Sequence, residues 1–222
     1  MVCKWSERKP LIGSPSLKRY ITGMIKIIKF DNLTLVGKGL HRECYRHPGN
    51  NKLCIKILFS NAYSEVKREK KYYAHLQKRN ISWEMIPRFY GEINTPLGMG
   101  YIFDLILDHD GSVAKTLDYY LSSSDSLNKI NKHALRQALS RLKIYLLQQR
   151  IITMTLHPKN IGCQINKSGE VCLYIIDNIG NSDFIPLCNF VAWLARKKIL
   201  RKWKRLEILV SKISGDRYYL NI

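Results

Sequence analysis

The chain has 222 residues, of which 45 % are hydrophobic and 24 % charged, values that suit one globular domain or two small lobes. Its 37 Lys and Arg against 17 Asp and Glu give a net charge of +20, which favours polyanionic partners such as nucleic acid, an anionic membrane face or phosphate-rich ligands; a basic-leaning proteome is the alternative explanation. The absence of a long apolar run, a signal-peptide core and any C-x-x-C pair predicts a cytoplasmic protein with reduced thiols and no transmembrane segment.

The first half of the chain is predicted to be rich in β-structure. Residues 1–23 are basic and interrupted by Pro, Gly and Ser, which indicates a flexible N-terminal extension. From there to residue 108, alternating apolar segments predict strands, including an antiparallel hairpin within 42–59. One helix is predicted at 64–80. The residues at helical spacing on its apolar face are Val66, Glu69, Tyr73 and Leu76.

The second half, residues 109–222, is predicted to be mainly helical. A helix is predicted at 131–150, where leucines recur on one face (Leu135, Leu139, Leu142 and Leu146). Residues 160–177 read as a short hairpin with its turn at Asn166–Gly169, and 186–213 as a basic helix. The sequence therefore predicts an α+β fold made of a β-rich unit and a helical unit.

Three features of the first half suit the binding of phosphate groups. Gly37 and Gly39 stand between two strands, where backbone N–H groups can approach a phosphate without interference from a Cβ; a plain hairpin turn is the alternative. Lys56 would direct a compact positive charge at nucleotide phosphates, unless it is a surface residue of a half-buried strand. Glu69 needs a partner on its apolar helix face, and we expect it to hold Lys56, with Glu65 as the alternative.

Two oxygen-bearing side chains flank the predicted hairpin of the second half. Asn160 precedes its first strand and Asp177 ends the apolar run of its second strand. One amide and one carboxylate suit Mg²⁺, which takes few protein ligands and shares the rest with phosphates and water. An Asx-turn at each position is the alternative.

The order of these features resembles the protein-kinase-like fold, in which a Gly-rich loop, a strand lysine, a helix glutamate, a catalytic loop and a metal-binding aspartate follow one another. More narrowly, the chain resembles the bacterial YrbL family, named for the PhoP regulatory network, from about residue 24 to about residue 204. The segments that carry this resemblance are GKGLHRECYRHP, CIKI, REKKYYAHL, IPRFYG, ITMTLHPKNI, and DNIG followed by IPL.

The resemblance implies a two-lobed, protein-kinase-like fold with a small antiparallel β-rich N-lobe at 24–108 and a reduced helical C-lobe at 109–222. It also implies ATP and Mg²⁺ as cofactors. By motif, Gly37 and Gly39 would cover the phosphates, Lys56 would pair with them and Glu69 would orient Lys56. Asn160 and Asp177 would bind Mg²⁺.

The sequence departs from the kinase pattern at several positions. Arg42 replaces the third glycine of the loop and could place a guanidinium on phosphate. The metal motif, Asp177–Gly180, is one residue longer than the Asp-x-Gly of protein kinases. Only 42 residues follow Gly180, so the helical region that holds peptide substrates in protein kinases is mostly absent.

The catalytic loop shows the largest departure, because Thr155 stands where the pattern has an aspartate. A threonine hydroxyl cannot serve as a base near pH 7, and base catalysis is worth roughly 10²–10⁴-fold. Phosphoryl transfer nevertheless depends mainly on positioning and electrostatics. His157 could act as a replacement base; the alternative is a loop histidine that is hydrogen-bonded to the backbone.

The predicted C-terminal helix is strongly basic. Its predicted apolar face comprises Phe190, Leu194, Trp203, Leu206 and Val210. Its basic residues are Arg196, Lys197, Lys198, Arg201, Lys202, Lys204 and Arg205. Three interpretations are open: a helix that binds a membrane surface, a nucleic-acid patch, or a core helix with a solvated basic side. No RNA- or DNA-binding motif accompanies it.

These observations lead to two functional hypotheses. The first is a kinase-like protein that binds Mg-ATP between its lobes, with weak or atypical phosphotransfer to an unknown acceptor or a nucleotide-dependent regulatory role in bacterial signalling. The second is a non-catalytic pseudokinase scaffold whose basic surface, at 190–210, binds an anionic protein, membrane surface or nucleic acid.

Overall fold

The computed structural model describes residues 33–59, 63–183 and 185–215, which form a mixed α+β fold. The predicted extension at 1–23 and the start of the first predicted strand lie outside the described residues. Of the helices in the described ranges, none has the length and apolar character needed to cross a membrane.

The first part of the fold is a five-stranded antiparallel sheet with one helix. Its strands are β1 (Leu35–Lys38), β2 (Arg42–His47), β3 (Asn50–Leu58), β4 (Phe89–Thr95) and β5 (Gly98–Asp104), in the order β1-β2-β3-β5-β4. Helix α1 (Tyr63–Lys78) follows β3. The predicted apolar face of α1 is confirmed, since all four of its residues, Glu69 included, are buried.

Aromatic rings join α1 to the sheet. The ring of Tyr73 lies 5.5 Å from that of Phe103 on β5 and 5.9 Å from that of Phe89 on β4. Tyr73 also stacks on Trp83 at 6.0 Å, in the segment that connects α1 to β4. Such contacts fix the height of the helix over the sheet, and hence the position of Glu69, one turn before Tyr73.

The second part contains a small sheet and four helices within the described ranges. Its elements are β6 (Lys115–Thr116), α2 (Leu117–Leu121), α3 (Ser124–Asn128), α4 (Lys132–Gln148), β7 (Ile161–Ile165), β8 (Val171–Ile175) and α5 (Ala192–Ser214). The sheet order is β6-β7-β8. Helix α4 begins at an N-cap, Asn131, whose side chain accepts from the Ala134 N–H, and its four predicted leucines are buried as expected.

The predicted β7–β8 hairpin is confirmed, together with its turn. The side-chain oxygen of Asn166 accepts hydrogen bonds from the backbone N–H groups of Ser168 and Glu170, and Gly169 adopts φ +77°, which favours glycine. Ile161 pairs with Ile175 in this hairpin. The register therefore brings the residues just before β7 beside those just after β8.

Helix α5 packs on the core, as one of the three interpretations of the basic helix expects. Trp203, Leu206 and Val210 are buried in the main hydrophobic cluster, which also includes Leu139 of α4 and Tyr73 of α1. Two details of the predicted helix are wrong. Phe190 precedes α5 and is 72 % exposed, and Lys198 is only 4 % exposed instead of belonging to the solvated side.

Of the five cysteines in the described residues, four follow the expectation of reduced thiols. Cys44, Cys54, Cys163 and Cys188 are free. Cys172, by contrast, is disulfide-bonded.

Candidate functional site

Four charged residues from distant parts of the sequence meet in what we term the charged cluster. Arg42 opens β2, Lys56 lies on the central strand β3, Glu69 lies on α1, and Asp177 comes two residues after β8. On the sheet, Lys56 stands opposite Cys44 of β2 and Tyr101 of β5. The cluster therefore lies where the five-stranded sheet meets the β7–β8 hairpin.

Arg42 occupies the middle of the charged cluster. Its Nη1 donates to Glu69 Oε2 at 2.5 Å, and its Nη2 donates to Asp177 Oδ1. The Nζ of Lys56 lies 3.4 Å from the same Asp177 oxygen. Lys56 also donates to the backbone carbonyl of Ile176 at 2.6 Å. One carboxylate oxygen thus accepts from two cations.

The expected direct pair of Lys56 and Glu69 is wrong. Within the described residues, Glu69 pairs with Arg42, and Lys56 pairs with Asp177. The guanidinium of Arg42 reaches both carboxylates because its planar fork presents several donors, which the ammonium of Lys56 cannot do. Glu65, the alternative partner, is exposed.

Burial and charge act against each other on the pKa of each group. Burial raises the pKa of Glu69, and Arg42 opposes that rise. Burial also acts to raise the pKa of Asp177, but Lys56 and Arg42 outweigh it and hold that pKa below its usual value. For Lys56 the effect of burial is reversed by Asp177, so its pKa is raised. Two cations and two carboxylates give the cluster no net charge when all four are ionised.

Lys56 is further held by an aromatic ring. Its Nζ lies 4.8 Å from the centroid of Phe103 on β5, within the range of a cation–π contact. Its side chain is 12 % exposed, so the alternative of a surface lysine does not describe it. Asp177, at 36 %, is the most exposed member of the cluster and faces the outside.

The predicted catalytic loop runs beside the segment that carries Asp177. The Met154 N–H donates to the Asn178 carbonyl at 2.7 Å, and the Ile176 N–H donates to the Asn160 carbonyl at 2.9 Å. Asn160 ends a short 3₁₀ helix, Pro158–Asn160, directly before β7. Asn160 and Asp177 are therefore on neighbouring segments, and Thr155 is exposed on the same loop.

His157 has a structural contact in this loop. Its Nδ1 accepts from the Lys159 N–H at 3.2 Å and caps the 3₁₀ helix. This is the backbone-bonded loop histidine that the sequence left as the alternative to a replacement base. His157 thus fixes the turn that leads to Asn160.

Gly37 lies near the end of β1, and Gly39 lies in the connection between β1 and β2. Gly37 lies opposite Cys44, and the Gly39 N–H donates to the Arg42 carbonyl at 2.8 Å. That N–H is satisfied inside the connection, as a plain turn expects. A Cβ on Gly37 would meet nothing within 4 Å, so the space above this glycine is open to a ligand.

Asn160 and Asp177 fit the ligand chemistry of Mg²⁺ in one respect. They supply an amide and a carboxylate from adjacent segments, and such a site takes its remaining ligands from phosphates and water. Among the described residues, no group of three or more His, Cys, Asp or Glu side chains could hold a metal without such help. A metal here would share Asp177 with Arg42 and Lys56.

Sequence reasoning missed the contacts that α5 makes with these segments. Lys202 donates to the Met154 carbonyl, which holds the predicted catalytic loop. Lys198 donates to Asn181 Oδ1 at 2.5 Å and pairs with Asp183 Oδ1 at 2.6 Å. The signal was present, since Lys198 is three residues after buried Ala195 and precedes buried Ile199, both on the core side of the helix.

Comparison with known proteins gives a consistent result over most of the chain. The model of the family described as PhoP regulatory network protein YrbL matches residues 28–209, a range that contains every predicted site residue. Two relatives, each named "Uncharacterized protein YrbL", come from Escherichia coli (strain K12) and Shigella flexneri. Each is 40 % identical over 182 residues, which cover 81 % of this chain and 86 % of the relative.

Proposed function

Because the chain belongs to the family of PhoP regulatory network protein YrbL, we propose that it is a kinase-like protein of bacterial signalling. In this proposal Mg-ATP binds between an N-lobe at 24–108 and a reduced C-lobe at 109–222. Nucleotide binding serves a regulatory role or supports a weak, atypical phosphotransfer. The proposal assigns the charged cluster to the nucleotide phosphates.

The observation that carries this proposal is the sharing of Asp177 Oδ1 by Arg42 and Lys56. Asp177 is partly exposed and needs at most one ion pair to compensate its charge, so two cations on one of its oxygens exceed that requirement. A phosphate group could take over one cation while the other stays with Asp177. Binding would then leave no buried charge without a partner.

Arg42 and Lys56 would have different roles in binding. Lys56 lies on the central strand β3, and the Ile176 carbonyl and the Phe103 ring hold its side chain in place. Arg42 opens β2, directly after the Gly39–Leu40–His41 connection, where a guanidinium can bind two phosphate oxygens at once. Glu69 would keep Arg42 oriented. Asn160 and Asp177 would hold Mg²⁺, whose charge would offset that of the phosphates.

The loop residues limit the chemistry that this site could perform. Thr155 offers no base, and the Nδ1 of His157 is engaged with the Lys159 N–H. Transfer would therefore depend on positioning and on electrostatic stabilisation alone, which makes it slow relative to kinases that have an aspartate.

The test is the equilibrium affinity for ATP with Mg²⁺, measured by titration calorimetry for the wild type, Lys56→Met and Lys52→Met. Lys52 is an exposed lysine on the same strand, so its replacement removes the same charge outside the cluster. We expect Lys56→Met to weaken binding roughly 10- to 100-fold, the range of a charge-assisted hydrogen bond. Equal affinities for all three proteins would rule out the charged cluster as the site.

The second candidate function is a scaffold that performs no phosphotransfer. It is favoured by the exposed Thr155 in place of a base and by the basic outer face of α5. Nucleotide binding, measured together with release of phosphate or ADP from ATP, distinguishes the two candidates. Turnover that is lost in Asp177→Asn supports the first proposal in its phosphotransfer form, and the absence of both turnover and nucleotide binding supports the scaffold.

A further inference from the structure

Helix α5 has a second face that the core does not use. Its buried residues lie on one side, and the opposite side forms what we term the outer stripe. At 100° per residue, the positions of the outer stripe fall within one third of the helix circumference. The stripe consists of Trp193, Lys197, Leu200, Arg201, Lys204 and Ile208, all of which are exposed.

The apolar members of the outer stripe are unusually open to solvent. Trp193 is 64 % exposed, Ile208 59 % and Leu200 41 %. The chain just before the helix continues this character, with Leu187 at 54 % and Phe190 at 72 %. Single exposed apolar residues are ordinary, but several large ones along one helix face and its N-terminal approach indicate a binding surface.

The basic members of the stripe form no ion pairs within the described residues. Glu207 is the one acidic residue of α5, and it pairs with Lys143 at 3.6 Å. Crowding of like charge is also visible in the pKa of Lys202, which burial and then Lys198, Arg205 and Arg201 lower. The hydrogen bond from Lys198 lowers the pKa of Asp183, and Arg201 is close enough to add to that effect, but Asp183 pairs with Lys198, so the basic residues of the outer face keep a net positive charge.

We propose that the outer stripe of α5 binds the surface of an anionic lipid bilayer. Lys197, Arg201 and Lys204 meet the headgroups, and Trp193, Leu200 and Ile208 enter the boundary between headgroups and acyl chains. Interleaved aromatic, aliphatic and basic residues on one face suit that boundary, where apolar and anionic surroundings lie within a few ångströms. A nucleic acid would satisfy the cations but would leave the aliphatic residues in water.

This attachment is peripheral, and it is separate from nucleotide binding. The core face of α5 stays buried in the protein, so the helix lies along the membrane with only its outer stripe in contact. Lys202, which joins α5 to the Met154 carbonyl of the predicted catalytic loop, does not belong to the outer stripe. The proposal stands whether or not the charged cluster binds ATP.

The test is co-sedimentation of the full chain with vesicles of phosphatidylcholine alone and of phosphatidylcholine mixed with phosphatidylserine. We expect binding to the mixed vesicles only. Joint replacement of Lys197, Arg201 and Lys204 by Gln should weaken it about 100-fold, since each basic residue near an anionic surface contributes roughly fivefold. The matched control replaces Lys67, Arg68 and Lys71, which are exposed on α1, by Gln and should bind as the wild type does.

Tryptophan fluorescence reports separately on the apolar residues of the outer stripe. Vesicle binding should shift the tryptophan emission to shorter wavelength, and Trp193→Phe should remove the shift while binding is retained. Replacement of Trp193, Leu200 and Ile208 by Ser should weaken vesicle binding. The proposal is overturned if the mixed vesicles do not bind, if the two Gln triples bind equally, or if the stripe binds duplex DNA or an acidic peptide and no vesicle.

Discussion

Two groups of charged residues in this protein each pair a largely buried lysine with an aspartate but differ in how the acceptors are distributed. At Lys198, one ammonium meets two separate oxygens, one from Asn181 and one from Asp183. In the charged cluster, Arg42 and Lys56 converge on one oxygen of Asp177. The first arrangement is complete by itself and ties α5 to the segment after β8.

The difference shows that a buried lysine is not by itself evidence for a ligand site. If a ligand took Lys198 away, Asp183 would lose its ion-pair partner and Asn181 Oδ1 would keep only the hydrogen bond from the Asp183 N–H. In the charged cluster, a phosphate could take Lys56 and leave Arg42 on Asp177. The capacity to exchange partners, rather than burial, is what distinguishes the proposed site, and each group can be perturbed separately.

The largest expected effect comes from Glu69→Gln, which leaves the guanidinium of Arg42 with one carboxylate where it now has two. Removal of one partner of a buried ion pair costs about 3–5 kcal/mol in the free energy of unfolding. Urea unfolding followed by circular dichroism measures this cost. The control is Lys70→Gln, which breaks the exposed pair with Glu92 and should cost about 1 kcal/mol or less. Equal costs for the two variants would contradict the account of the cluster.

A smaller cost is expected for Lys198→Met, because Asp183 is partly exposed and can turn to water. We expect a loss of about 1.5–3 kcal/mol, the contribution of a hydrogen bond made by a charged group. The affinity for ATP should stay that of the wild type, which is the outcome that separates the two groups. A loss of nucleotide affinity in the folded variant would show that both groups belong to one site.

The pH dependence of stability gives a third test of the Lys198 group. The hydrogen bond from Lys198 lowers the pKa of Asp183 in the folded protein. Its contribution to stability is therefore present above the unfolded pKa, about 3.9, and is lost as the pH falls through the lowered value. Urea midpoints measured from pH 6 down to pH 2 should decline less steeply in Lys198→Met than in the wild type. Parallel curves would show that the pair does not contribute.

The smallest effect on stability is expected at Gly37. Gly37→Ala adds a methyl group into open space, so the free energy of unfolding should change by about 0.5 kcal/mol or less. If the end of β1 and the connection that follows it cover phosphates, the same methyl group should weaken ATP binding several-fold, which titration calorimetry measures. Unchanged affinity would assign the connection to a turn with no part in binding.

Much of the fold could be predicted from local patterns. The hairpin of β2 and β3, the buried face of α1, the leucines of α4 and the turn at Asn166 all follow from periodicities and turn residues within about 20 residues of chain. The family was also evident from motifs, which the match over residues 28–209 confirms. The positions of Phe190 and Lys198 were wrong because the helix begins later and is rotated relative to the face that was inferred.

The contacts of the site could not be predicted in the same way. Whether Glu69 meets Lys56 or Arg42 depends on how α1 sits over the sheet, which the rings of Tyr73, Phe89 and Phe103 decide. Asp177 reaches both cations only after the β7–β8 hairpin docks against the sheet. Such contacts span up to 135 positions of sequence and carry no local signal.

The most direct test of the central claim is a set of thermal unfolding scans of the wild type and Lys56→Met, with ATP and Mg²⁺ each present or absent. A ligand at about 100 times its dissociation constant adds roughly 2.7 kcal/mol, which raises the midpoint of a protein of this size by about 5–10 °C. The account predicts that rise in the wild type only when both ATP and Mg²⁺ are present, and a rise of about half that size or less in Lys56→Met, whose affinity is expected to be roughly 10- to 100-fold weaker. An unchanged wild-type midpoint at millimolar Mg-ATP, or an equal rise in Lys56→Met, would contradict it.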